Sequence, residues 1–167
     1  ALKEFFRHAN TSVERTVELH GVEVDGYGVY SDLYSRADYA QAYAQQACGD
    51  KDSVEYRVEN FMSTDYSNMD VVTLFYPFLL EEALVTWGLP KKYFQPLNLL
   101  RKALQLLNVD GYLLVANQTD VEATKLTTYI KELNAEVVKQ IPLRLKLVNY
   151  WQETNERVLS VIKAPRE

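Results

Sequence analysis

The 167 residues are 47% hydrophobic and 25% charged, with a net charge of −5 and a single cysteine. That length suffices for one domain with a real core, and the acidic balance argues against broad electrostatic binding to DNA or RNA, which needs a basic face. Cys48 cannot make an internal disulfide, so a reducing, cytoplasmic setting is expected, and no apolar run approaches the roughly 20 residues that span a bilayer.

In chain order, Ala1 to Ala9 places Leu2, Phe5 and Phe6 on one helical face and reads as a helix tail. The start is charged and amphipathic, unlike a secretory signal. It opens in mid-pattern, so the chain is expected to be a piece of a longer polypeptide. Residues 17–25 read as a strand ending in the turn signal Asp25-Gly26. Five of the 12 tyrosines, Tyr27, Tyr30, Tyr34, Tyr39 and Tyr43, follow closely. Their spacing reads first as amphipathic packing with hydroxyls reaching water. The second reading is an aromatic wall around a flat ligand such as adenine. A helix is predicted over about 35–47, stopped by Gly49-Asp50, with Cys48 structural at its end. No histidine lies near Cys48 to activate it, and neither His8 nor His20 has metal-ligand spacing to it.

Residues 54–61 alternate cleanly and predict a half-buried strand. Asp70 to Phe75 is nearly all apolar, as suits a strand buried on both faces of a parallel sheet, and Tyr76-Pro77 ends it. A lid-like stretch covers 79–90. Leu97, Leu100, Leu104 and Leu107 recur at helical spacing after Pro96, which fits a first turn. Asp110-Gly111 then turns into a buried strand at 112–116, followed by Asn117-Gln118. Thr119 and Glu122 have capping-box spacing and open a helix to about Leu133. The tail holds two β segments, one within 137–151 bent at Pro142 and one at 158–162, joined as a hairpin through 153–156. Helices alternating with strands mean right-handed crossovers and a parallel sheet, and the closing hairpin makes the last strand antiparallel. The expected fold class is α/β: a Rossmann-like, mostly parallel sheet with helices on both faces and a C-terminal antiparallel strand.

This order, together with several short stretches, resembles a class I S-adenosylmethionine-dependent methyltransferase from its second strand onward. The resemblance covers nearly the whole chain, which is expected to be one methyltransferase-like domain, incomplete at its N-terminus. In His20-Gly21-Val22-Glu23-Val24-Asp25 it implies that Glu23, or second Asp25, binds the two ribose hydroxyls of the cofactor, since two acceptor oxygens suit two vicinal donors. In Glu59-Asn60-Phe61 it implies that Asn60 reads the adenine edge and Phe61 packs on the ring, although Asp is the family's usual residue there. In Asp70 to Phe78 it implies the fourth strand and its loop, where Tyr76 orients a substrate or closes over the cofactor. Enzymes that methylate nucleobase amines place Asp or Asn before Pro-Pro here. Phe75-Tyr76-Pro77-Phe78 departs from that, so the expected acceptor is a small molecule or a protein. Gly111 to Gln118 resembles the family's fifth strand, with Asp110-Gly111 where Gly-Gly is usual. Asn117 and Gln118 fall on the carboxyl edge, where open α/β sheets bind ligands.

The family's glycine-rich loop and first strand have no counterpart in the sequence: Gly26-x-Gly28 follows the wrong strand. That first strand is central in the family, between the second and fourth. Without it, two strands would expose unpaired backbone or the sheet would split. The resemblance implies methyl transfer with S-adenosylmethionine as cofactor; no base is assigned, Tyr76 and Glu82 being positional candidates. The alternative is a methyltransferase-like interaction domain without catalysis, with Trp87 and Trp151 as partner anchors. A dinucleotide-dependent oxidoreductase is a third reading, which the final antiparallel hairpin disfavours.

Overall fold

The protein is described by a computed structural model over residues 16–48, 52–143 and 157–164. The chain divides into two compact units, one up to Thr64 and one from Asp65 onward.

In the first unit, β1 (Glu18–Val22) and β2 (Ser53–Arg57) pair in parallel, Glu18 opposite Ser53 and Val22 opposite Arg57. Two glycines are explained by close approach. A Cβ on Gly21 would lie 2.8 Å from the Tyr56 ring, and one on Gly26 would lie 2.5 Å from Val58 Cγ2. The crossover is α1 (Arg36–Ala47). Its N-terminus is a capping box: Ser35 Oγ accepts from the Asp38 amide at 3.1 Å, and the Asp38 carboxylate accepts from the Ser35 amide at 2.8 Å. Its C-terminus is held by Cys48, whose thiol donates to the Asp52 carbonyl at 3.0 Å, in keeping with a structural cysteine.

The second unit contains β3 (Met69–Phe75), α2 (Glu81–Thr86), α3 (Pro96–Leu106), β4 (Leu107–Asn117), α4 (Asp120–Glu132), β5 (Glu136–Leu143) and β6 (Arg157–Lys163). The sheet order is β3-β4-β6-β5. β3 and β4 are parallel, and β6 runs antiparallel to both neighbours, as the closing hairpin predicts. Pro96 sits in the first turn of α3, where its missing N–H costs nothing. Thr119 caps α4 by accepting from the Glu122 amide at 3.1 Å; the Glu122 carboxylate accepts from the Gln118 amide at 2.8 Å. Leu113 and Val115 of β4, Ile162 of β6, and Leu126 and Ile130 of α4 are fully buried. They form the core of an α/β layer, since α4 packs on β4, β5 and β6.

The expected α/β class and element order are present, with these differences. The strand placed at 112–116 begins at Leu107, because Asp110-Gly111 is a bulge rather than a turn: Met69 pairs with Leu107, whereas Val71 already pairs with Tyr112. Gly111 is required there, for a Cβ would lie 2.7 Å from the Met69 carbonyl oxygen. The strands placed at 17–25 and 54–61 end at Val22 and Arg57. The lid-like stretch 79–90 contains α2, anchored by buried Leu79 and Leu84. The tyrosines do not pack as an amphipathic face either. No described residue of α1 is buried, and the rings of Tyr27, Tyr30, Tyr34 and Tyr43 are exposed. The helix placed at 1–9, the turn placed at 153–156 and Trp151 lie outside the described residues.

Among the described residues, β1 and β3 lie in different sheets, each at an edge of its own. Among the described residues, no helix is long and apolar enough to cross a membrane, and no group of three or more metal-ligating side chains occurs.

Candidate cofactor site

Parallel strands end together, so the loops after β1 and β2 share one edge. The Glu23 amide extends the pairing by donating to the Arg57 carbonyl at 3.2 Å. Glu23 is exposed immediately beyond the strand, and its Oε1 accepts from the Asp25 amide at 3.0 Å. This bond fixes the carboxylate at the strand end and leaves Oε2 for a further donor. Burial, and then the Glu23 charge, push the Tyr56 phenol above its ordinary pKa. The Glu23 carboxylate thus lies within electrostatic reach of the ring that Gly21 makes room for.

Asp25 stands differently. Its Oδ2 accepts from Arg36 Nη1 at 2.7 Å. Both groups are largely exposed, so the pair adds little to stability, but it commits the Asp25 carboxylate to the guanidinium. On the neighbouring strand, Asn60 caps a 3-10 turn over Phe61–Ser63, its Oδ1 accepting from the Met62 amide at 3.0 Å. With the oxygen engaged, the carboxamide nitrogen remains as a donor. Phe61 is half-buried in that turn. Four of the five site residues expected from sequence, Glu23, Asp25, Asn60 and Phe61, therefore follow the ends of one parallel strand pair.

The fifth, Tyr76, belongs to the second unit. It follows β3 with φ +52, a left-handed conformation that is unusual for a bulky residue. Its amide donates to the Ala116 carbonyl at 2.9 Å, and the Arg157 guanidinium stands 5.4 Å from its ring centroid. Nothing local in sequence could announce Arg157, which arrives from β6. Asn117, expected on the ligand-binding edge, is fully buried, and neither of its side-chain polar atoms has a hydrogen-bond partner among the described residues. Its position opposite Val158 places it within the β4–β6 ladder. Sequence reasoning also missed Tyr56 and Arg36: the first reads only as an alternating strand residue, the second as a helix-surface charge.

With this geometry in hand, the chain can be compared with known proteins. It matches no family model and no curated protein. Among solved structures it resembles a chain from the complex between the Haloferax volcanii Trm112 methyltransferase activator and a methyltransferase. That likeness covers 99% of this chain and 93% of that one, with 12% identity and a TM-score of 0.57. It also resembles the N-methyltransferase NodS from Bradyrhizobium japonicum in complex with S-adenosyl-L-homocysteine (98% and 85% covered, 11% identity, TM-score 0.56). A third is a SAM-dependent methyltransferase from Methanosarcina mazei (93% and 95% covered, 10% identity, TM-score 0.55). The fold is that of the class I methyltransferases. At these identities the likeness defines architecture, and the chemistry has to be argued from the site.

Proposed function

We propose that the protein is an S-adenosylmethionine-dependent methyltransferase acting on a small molecule or a protein. The observation that carries this reading is the placement of Glu23 and Asn60 after adjacent parallel strands. An anchored carboxylate with a spare oxygen suits a vicinal diol, and a carboxamide with a spare N–H suits the edge of adenine. Phe61 supplies an apolar surface beside the base, while Asp25, held by Arg36, is the lesser candidate for the ribose. The cofactor supplies the reactive methyl carbon when bound. The chain's own task is to hold the ribose and adenine, align the acceptor and exclude water. For Tyr76 we propose a role in orienting the acceptor at the carboxyl end of β3. The departure from the Pro-Pro pattern at Tyr76-Pro77 supports an acceptor other than a nucleobase amine.

Calorimetric titration with S-adenosylhomocysteine tests the reading. Micromolar binding is expected, weakened about tenfold to a hundredfold by Glu23→Ala, the range for losing charge-assisted hydrogen bonds. Asp25→Ala should cost less. A folded chain that binds no S-adenosylhomocysteine would overturn the proposal in favour of a methyltransferase-like interaction domain.

A further inference from the structure

The cofactor reading uses none of the tyrosines of the loop before α1 and of α1 itself, yet they form an organised surface. Tyr39 is its centre. Tyr30 and Tyr34 meet its ring edge-on, with centroids at 5.5 and 6.0 Å, and Tyr43 stacks on it at 6.3 Å. Tyr34 and Tyr43 are 61% and 66% exposed, so the cluster is ordered by its own contacts without being buried. The loop beneath it is tightly tied. The Tyr30 amide donates to the Tyr34 carbonyl at 2.9 Å and the Leu33 amide to the Tyr30 carbonyl at 3.0 Å. Asp32 accepts from the Tyr34 amide at 3.2 Å and from the Tyr39 hydroxyl. At the tip, Leu33 has φ 71 and is 85% exposed: a bulky apolar residue held in a strained conformation and presented to water. Water alone gives no reason for such an arrangement, and a contiguous apolar surface of this kind marks an interaction site.

Charge selects the partner. The carboxylates of Asp25, Asp32 and Asp38 lie along this segment, and its one guanidinium, Arg36, is engaged by Asp25. The surface is therefore aromatic with a net negative rim. Such a rim repels nucleic-acid phosphates and anionic lipid headgroups, and it repels an identical rim on a second copy. It attracts a cationic side chain that also stacks on aromatic faces, and arginine does both, lying flat on tyrosine while its fork reaches a carboxylate. Because the rings and loop are already fixed, little ordering is left to oppose binding.

We propose that the tyrosine surface of residues 30–43 docks a basic, arginine-bearing segment of a partner protein. The proposal is independent of cofactor binding. The probe is a fluorescein-labelled arginine–glycine repeat peptide, with a glutamate–glycine repeat as control, titrated into the full chain by fluorescence anisotropy. Saturable binding of the arginine peptide alone is expected. The double substitution Tyr34→Ser, Tyr43→Ser should weaken it about fivefold to thirtyfold, whereas Tyr34→Phe, Tyr43→Phe should leave it nearly unchanged, because cation–π attraction needs the ring and not the hydroxyl. Both rings are exposed, and unchanged backbone amide resonances across β1, β2 and α1 show that the first unit of the serine variant remains folded. Three results would overturn the proposal: no binding of the arginine peptide, equal binding by the serine variant (diffuse attraction to a chain of net negative charge), or concentration-dependent self-association that the serine substitutions abolish and the peptide does not inhibit.

Discussion

The two units divide the work of the molecule unequally. Among the described residues, every buried hydrophobic side chain lies in the second unit, from Val72 to Ile162. There, α4 closes over a four-stranded sheet and is sealed by Leu126 and Ile130. The described residues of the first unit form two strands, one helix with no buried residue, and a row of exposed tyrosines. A two-stranded sheet is marginal on its own, and what these described residues contribute is hydrogen bonds and ring contacts more than apolar burial. The comparison teaches that, among the described residues, the buried apolar core lies in one stretch of chain and the candidate cofactor residues and the tyrosine surface lie in another.

The largest effect that could break this comparison is a core truncation set against a surface one. Leu126→Ala should lower the unfolding free energy by about 2 to 5 kcal/mol, since it removes packed methyl groups and leaves a cavity. Tyr34→Ala, though it deletes a larger side chain, should stay within about 0.5 kcal/mol. Urea midpoints of the two variants decide the matter: a cost at Tyr34 equal to that at Leu126 would mean that the tyrosines form a core after all.

A smaller pair of substitutions sharpens the contrast, because both units use the same device. Thr119 caps α4 and Ser35 caps α1, each through a side-chain oxygen accepting from the amide three residues on. Replacement by alanine costs about 1 kcal/mol at an N-cap. At Thr119 that loss should appear in global unfolding, because α4 covers the core. At Ser35 it should appear as faster hydrogen exchange confined to α1, with the urea midpoint little changed. A global loss from Ser35→Ala would show that α1 folds cooperatively with the core.

How much of this was legible in the sequence depends on which signal each element carries. Helical spacing identified α3, the capping box announced α4, and an unbroken apolar run marked β3. That run suggested burial on both faces, yet only Val72 of β3 is buried and Phe75 is exposed, because β3 lies at the edge of its sheet. The hairpin of β5 and β6 was legible as well, Pro142 included, which sits in β5 opposite Val158. Asp110-Gly111 misled, since a glycine needed for close approach to the Met69 carbonyl looks in sequence like a glycine needed for a turn. Asn117 misled in another way. A polar residue at a strand's carboxyl end reads as exposed, and only the packing of the surrounding layer shows it to be buried. Among candidate site residues, Glu23 and Asn60 read as strand residues, whereas both lie in loops just past strands that end at Val22 and Arg57. The Asp25–Arg36 pair was not legible, because it depends on how the loop folds back to α1. The tyrosines were visible as a count but not as a surface, since exposure of a ring is a property of its neighbours.

The mildest expected effect concerns acid, and it isolates the first unit. The hydrogen bonds from Ser35 hold the Asp38 carboxyl below the ordinary aspartate range. A carboxyl whose pKa is lower in the folded state stabilises the fold fully above its unfolded pKa. That contribution is lost as pH falls through the lower, folded value. Acidification should therefore loosen the α1 capping box at a pH below that at which a free aspartate takes up its proton. Amide resonances of Ser35 and the first turn of α1, followed as pH is lowered, report this directly. Asp38→Asn should remove that titration from the first turn and leave the amides of α4 unmoved. Tyr39 gives the loop a parallel response, because its hydroxyl lowers the Asp32 pKa most strongly and the Tyr34 amide adds to this. If the first-turn amides still titrate in Asp38→Asn, the capping box is not what acid releases, and the order of the first unit rests instead on the tyrosine cluster above it.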